Sequence, residues 1–312
     1  MTTQTPIPGA GKERTAGETA AFTACILLFH LLLLALAPSF CRPIEDPYLR
    51  VSALKGFQIA ACLLPALLFR VWGDVREPLP RVRRKKEILL YSLIALAVVS
   101  AGLQINVTVN EFLSALGVLP AREGSTAVFY GPVGIPFTFL VYVLIPAFCE
   151  EVFFRYTLFY ALGGTKTAAF LSAFCFAFSH LEFFGFLYTL IAGIALGLLV
   201  YATRRLFLAV LLHAALNAVT LLLVYLSRLL PAEVYLSTET ALWFVILAAG
   251  AGCALFVSTR LFRRQRETAQ SAIDPELAVP PRRDPPVPLP LRLVVAVYLL
   301  IALAAAVGKR LL

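Results

Sequence analysis

Three apolar stretches of this sequence carry side chains that could act together chemically. Glu150, Glu151 and Arg155 fall in the first, Phe176 and His180 in the second, His213 and Asn217 in the third. Glu151 and Arg155 are four residues apart with the acid first, the order that favours an ion pair along a helix. Glu150 is rotated about 100° from Glu151, so that pair leaves it free. A free carboxylate beside an imidazole, in a cavity poor in water, suits general-base activation of a water molecule. His213 and Asn217 share a helix face and offer two donors to one point, as stabilisation of a tetrahedral oxyanion requires. A serine or cysteine nucleophile fits less well. Ser172 and Ser179 lie nearby, but neither sits in a Gly-x-Ser-x-Gly elbow. Cys149 points about 100° away from Glu150.

The elements that must position these residues are membrane spans. In 312 residues, hydrophobic types make up 60% and charged types only 14%, against about 25% charged in soluble domains. That excludes a disordered chain, a fibrous repeat and an ordinary cytosolic enzyme. Apolar runs of about 20 residues, enough to cross the hydrocarbon core, are read near 20–39, 53–72, 88–106, 135–162, 167–183, 185–203, 206–227, 240–259 and 292–311. The predicted fold is an all-α polytopic transmembrane bundle of about eight core spans plus a C-terminal tethered span. Its expected divisions are a cytoplasmic tail (1–19), N-terminal spans and an external loop (20–134), a catalytic helical core (135–260), a Pro-rich cytoplasmic linker (261–291) and the last span (292–312). The linker, with Pro280, Pro281, Pro285, Pro286, Pro288 and Pro290, predicts that the last span is an appendage to the compact bundle.

The net charge of +9 implies anionic lipid and no nucleic acid. Basic clusters at Arg76–Lys86, at Arg204 and Arg205, and from Arg260 to Arg283 all fall on one side if the N-terminus is cytoplasmic, as the positive-inside rule asks. Residues 107–134 mix polar and apolar types, so they read either as an interfacial helix with a re-entrant loop or as an external loop. The six cysteines have neither zinc-knuckle nor disulfide-scaffold spacing.

Ionisable residues at bilayer depth are costly and mark function by default. His30 has no ionisable companion on its span and is read as structural. Depth offers an independent check on the others. Glu150 and His180 each lie 15 residues from Thr165, in the turn joining two spans, so antiparallel pairing puts both about 20 Å from the hairpin end. Asn217 lies 12 residues past Arg205, or roughly 18 Å along its own span. The candidates converge on one layer.

These residues also carry a family resemblance. Glu150-Glu151-Val152-Phe153-Phe154-Arg155 resembles the EExxxR motif of the CPBP (or Abi) family, the CAAX-protease and bacteriocin-processing membrane proteins. Phe176–His180 resembles its FxxxH motif, and His213–Asn217 its HxxxN motif. The resemblance covers roughly residues 135–227. It implies a glutamic-type intramembrane endopeptidase in which Glu150 activates water with help from His180, His213 and Asn217 stabilise the oxyanion, and Glu151 and Arg155 hold the site. No cofactor is implied. Tyr156 departs from the family, where many members have glycine after the arginine, and predicts a narrowed cavity or altered helix packing.

The expected partners are the bilayer and a membrane-anchored peptide or protein substrate, and the expected location is a bacterial inner membrane. The sequence does not fix an oligomeric state. Two other readings stay open. Two histidines and a glutamate could hold zinc with an open position, although there is no His-Glu-x-x-His and asparagine is a poor zinc ligand. A non-catalytic scaffold or bacteriocin-immunity protein could use the same fold, although it would not need these polar groups. A proton-coupled transporter would predict broken helices and an internal repeat, and the sequence shows neither.

Overall fold

The computed structural model describes residues 15–72, 85–117, 128–181, 184–231 and 286–311 (side chains to 304), with isolated stretches between 233 and 259. The described regular elements are helices. In chain order they are α1 (Ala16–Cys41), α2 (Pro47–Trp72), α3 (Lys85–Ala115), α4 (Gly131–Ala161), α5 (Lys166–Ser179), α6 (Phe186–Thr203), α7 (Leu206–Leu229) and α8 (Leu289–Leu311). Six of these, α1 to α4, α6 and α7, are long and apolar enough to cross a membrane. The protein is an integral, multi-pass membrane protein with an all-α bundle fold. Residues 244–252 are helical within the expected span at 240–259, while the rest of that span and the linker up to residue 285 lie largely outside the described residues.

Two expected spans change length. The span expected at 167–183 ends at Ser179, leaving α5 with 14 residues, a rise of about 21 Å that falls short of a full crossing. His180 closes it, and Leu181 follows in the left-handed region at φ 49°, a strained conformation for a branched side chain. In the other direction, α3 continues to Ala115, past the end expected at 106 and into the stretch that read either as an interfacial helix with a re-entrant loop or as an external loop. Asn106 and Asn110, four apart on one face, explain the continuation. Asn106 accepts from the Tyr188 N–H and Asn110 donates to the Phe184 carbonyl. These polar side chains are therefore spent on the start of α6.

α4 carries the acidic pair and is not a regular helix. Two stretches, Leu140–Leu144 and Val152–Leu158, are π-helical and bracket the turn Ile145–Glu151. Pro146 accounts for the first: it has no N–H to donate, and its ring crowds the carbonyl four residues back. In the second, the Thr157 hydroxyl donates to the Val152 carbonyl at 3.1 Å.

At the other end of α4, Gly163 and Gly164 take φ values of 95° and 65°, which glycine adopts without a Cβ penalty. Thr165 then caps α5 by accepting from the Ala168 N–H. Arg204, expected in a basic loop, is buried here. It donates to the Gly164 carbonyl at 2.9 Å with its guanidinium over Tyr201 and Phe159, tying the end of α6 to the α4–α5 hairpin.

α5 and α6 pack closely through Gly193 and Gly197. A Cβ on Gly193 would stand 3.0 Å from Phe176 and 3.2 Å from Ala173, and one on Gly197 3.2 Å from the Ala169 carbonyl oxygen. Small residues in this spacing let two backbones approach in a membrane.

The last helix is not an appendage. Leu291, Val295, Tyr298 and Ala302 of α8, together with Val287 just before it, are buried in the same core cluster as Leu27, Phe153 and Cys175. The Tyr298 hydroxyl donates to the Cys175 carbonyl of α5 at 3.3 Å. The stripe 287, 291, 295, 298, 302 follows helical spacing, so α8 completes the bundle beside α1 and α5.

Candidate active site

Burial separates the two acids at once. The Glu151 side chain is fully buried, whereas that of Glu150 is 13% exposed. Glu151 Oε1 lies 3.1 Å from Arg155 Nη1 and 2.9 Å from His213 Nδ1. Arg155 also donates from Nη2 to the Gly193 carbonyl at 3.4 Å, and its guanidinium lies 4.2 Å from the Phe176 ring centroid. α4, α5, α6 and α7 thus meet at one ion pair. Glu151 Oε2, Arg155 Nε and Arg155 Nη1 have no hydrogen-bond partner among the described residues. A buried pair left partly unsatisfied is a poor source of stability, which argues that its role is placement.

What it places is His213. A carboxylate only accepts, so His213 Nδ1 carries a proton and Nε2 is the nitrogen left over. That nitrogen lies 3.8 Å from Glu150 Oε2, too far for a direct hydrogen bond and close enough for both to reach one small molecule. The other Glu150 oxygen, Oε1, accepts from Gln58 Nε2 at 2.7 Å. Gln58 in turn accepts from Lys55 Nζ at 2.9 Å. One oxygen of Glu150 is therefore held from α2 and the other is directed at His213.

His180 and Asn217 are less engaged. His180 is exposed and its Nδ1 donates to the Phe176 carbonyl at 2.8 Å. Asn217 is half-buried, one turn beyond His213 on α7. No hydrogen bond joins either to Glu150 among the described residues. The phenyl ring of Phe176 links the group: its centroid is 4.8 Å from that of His180, 6.0 Å from His213 and 5.3 Å from Phe154. The structure thus brings Glu150, Glu151, Arg155 and His213 into contact, and joins His180 to them through Phe176.

Lys55 and Gln58 were not among the residues singled out by sequence, although both are polar, three residues apart on one face of the span expected at 53–72, whose other charged residue is Arg70 near its far end. His30, read as structural, donates from Nδ1 to the Ala61 carbonyl at 3.1 Å and stacks on Phe153 at 4.2 Å. It braces α1 and α2 against the back of the acidic motif. Tyr156 turns toward α2, edge-on to Phe69 at 6.1 Å, so this departure from the family motif affects helix packing. Among the described residues no three His, Cys, Asp or Glu side chains are grouped to hold a metal ion.

The stretch from α4 to α7 that builds this contact is also the part of the chain that matches a family model. Residues 132–219 match the family model of the Rce1-like type II CAAX prenyl endopeptidases. This agrees with the CPBP resemblance of the three motifs. The Rce1-like segment starts at the head of α4 and ends two residues past Asn217, so it contains every motif residue and excludes α2 and α8. Searches of curated proteins and of solved structures gave no match.

Proposed function

We propose that this protein is an intramembrane endopeptidase of the CAAX-protease type, acting on membrane-associated or lipid-modified peptides. The observation that carries the reading is the unequal partnering of two adjacent carboxylates inside the Rce1-like segment. Glu151 is buried and committed to Arg155 and His213, while Glu150 keeps one oxygen free and faces His213 Nε2. Gln58 fixes the orientation of Glu150.

In this mechanism a water molecule between Glu150 Oε2 and His213 Nε2 attacks the scissile carbonyl carbon. Glu150 takes the water proton as general base and returns it to the leaving amine. The carbonyl oxygen becomes an oxyanion that the α7 pair, His213 and Asn217, stabilises. His213 can donate from Nε2 only as the imidazolium, whose charge the two flanking carboxylates would balance. His180, held by the Phe176 carbonyl, assists Glu150 from the end of α5. Glu151 and Arg155 hold His213 in place and touch no substrate. The basic clusters support a cytoplasmic N-terminus, and the family resemblance supports a bacterial inner membrane.

The test is cleavage of prenylated C-terminal peptides by the purified full-length protein and by Glu150→Gln, each with and without a chelator. Chelator-insensitive cleavage by the wild type alone is expected. Cleavage by the variant at the wild-type rate would remove Glu150 from the mechanism, and chelator sensitivity would transfer the role to a metal.

A further inference from the structure

Lys55 is an ammonium group one helical turn from Gln58, on the side of α2 nearer Pro47. It is half-buried in a helix that crosses the membrane, where a cation is rare without a purpose. Its ammonium has three donors. One goes to Gln58 Oε1, and the group stands 5.3 Å from the Tyr142 ring centroid on α4. Among the described residues no carboxylate pairs with it directly, and Glu150 is reached only through the Gln58 amide. The other donors have no protein acceptor among the described residues. A partly buried cation with spare donors, beside the free carboxylate of the site, is built to receive an anion.

We propose that Lys55 binds the terminal carboxylate of the substrate, so that the site selects peptides that end within a few residues of the bond to be cut. This rests on the endopeptidase reading above and names the substrate feature read by the same site. A CAAX motif is the last four residues of a chain, so any bond within it lies at most three residues, about 10 Å extended, from the free α-carboxylate. Lys55 is separated from Glu150 by two hydrogen bonds and one amide group, which is within that reach. Charge requires such a group. A carboxylate brought beside Glu150 and Glu151 is repelled by both in a medium of low dielectric, unless a cation meets it. Arg155 cannot serve, because it is fully buried and bound to Glu151 and Gly193.

The experiment compares two otherwise identical prenylated peptides, one ending in a free carboxylate and one in a carboxamide. Both are given to the full-length wild type, Lys55→Met and Lys55→Arg in lipid bilayers. The readout is the ratio of kcat/KM for acid over amide. A charge-assisted contact predicts that the wild type prefers the acid by about 10- to 100-fold, carried mostly by KM. Lys55→Met should bring the ratio near one, and Lys55→Arg should keep most of it. Taking a ratio removes any general loss of rate that a disturbed Gln58 would impose on both peptides. A wild-type ratio near one overturns the proposal while leaving the endopeptidase reading intact, and so does an unchanged ratio in Lys55→Met. If Lys55→Met does not fold, Lys55→Gln, neutral yet still able to donate to Gln58, takes its place: a ratio near one is expected, and an unchanged ratio overturns the proposal. If the wild type cuts neither peptide, both readings fall together.

Discussion

The two sides of α4 treat adjacent acids in opposite ways. On the side facing α6 and α7, Glu151 is sealed, doubly bound and shut off from any substrate. On the side facing α2, Glu150 is partly exposed and held by a single neutral amide. The same chemical group is an anchor in one environment and, in the proposed mechanism, the base in the other. The contrast teaches that in a membrane the partners, more than the residue type, decide which acid is available for chemistry.

The largest effect that would sharpen this contrast is on rate. Glu150→Gln keeps the shape but removes the base, so peptide cleavage should fall by about 10²- to 10⁴-fold while the thermal unfolding midpoint in detergent barely moves. Equal loss of stability would show that Glu150 is an anchor too. The companion effect is on stability. Arg155→Met leaves Glu151 buried with His213 as its remaining partner, and breaking a buried pair by removing one ion costs about 3–5 kcal/mol. Unfolding in mixed micelles with rising denaturing detergent should show it directly, and a shift under about 1 kcal/mol would mean that the pair is solvated.

The motif residues on α4, α5 and α7 stood out in the sequence because ionisable groups are rare in apolar spans, and two of the observed pairings, Glu151 with Arg155 and Phe176 with His180, follow from helix spacing alone. Which element supports Glu150 was not legible. Gln58 and Lys55 are ordinary polar residues near the end of a span, and only the packing of α2 against α4 gives them a role. The same limit explains the misplaced ends. Apolar residues continue past His180 at Leu181, Phe183 and Phe184, interrupted by Glu182, yet α5 stops at Ser179 because of a backbone turn that hydropathy does not see. For α8, the proline-rich approach suggested an appendage, while the buried stripe from Val287 to Ala302 was present but could be assigned only once α1 and α5 offered a surface.

A smaller effect tests the α6 side through the backbone. In Gly193→Ala the new methyl would stand 3.0 Å from Phe176 and 3.2 Å from Ala173, and the packed α5 backbone gives little room to yield. Overpacking of this kind costs about 1–3 kcal/mol. Because Phe176 lies against both Arg155 and His180, cleavage should also drop. Full activity with normal stability would show that the ring moves aside freely and that the α5–α6 contact does not set the site.

The smallest effect distinguishes the site from the rim of the bundle. Tyr298→Phe removes one hydroxyl whose hydrogen bond to the Cys175 carbonyl is long, at 3.3 Å. Side-chain hydrogen bonds between membrane helices average about 0.6 kcal/mol, so the unfolding midpoint should shift by no more than a few degrees and catalysis should not change. The ring itself fills the space between α1 and α5, since Tyr298 is 2% exposed. Tyr298→Ala should therefore cost several times more, about 3–5 kcal/mol by the cavity it leaves. A large loss from Tyr298→Phe alone would mean that the hydroxyl, and not the packing, fixes α8 to the bundle.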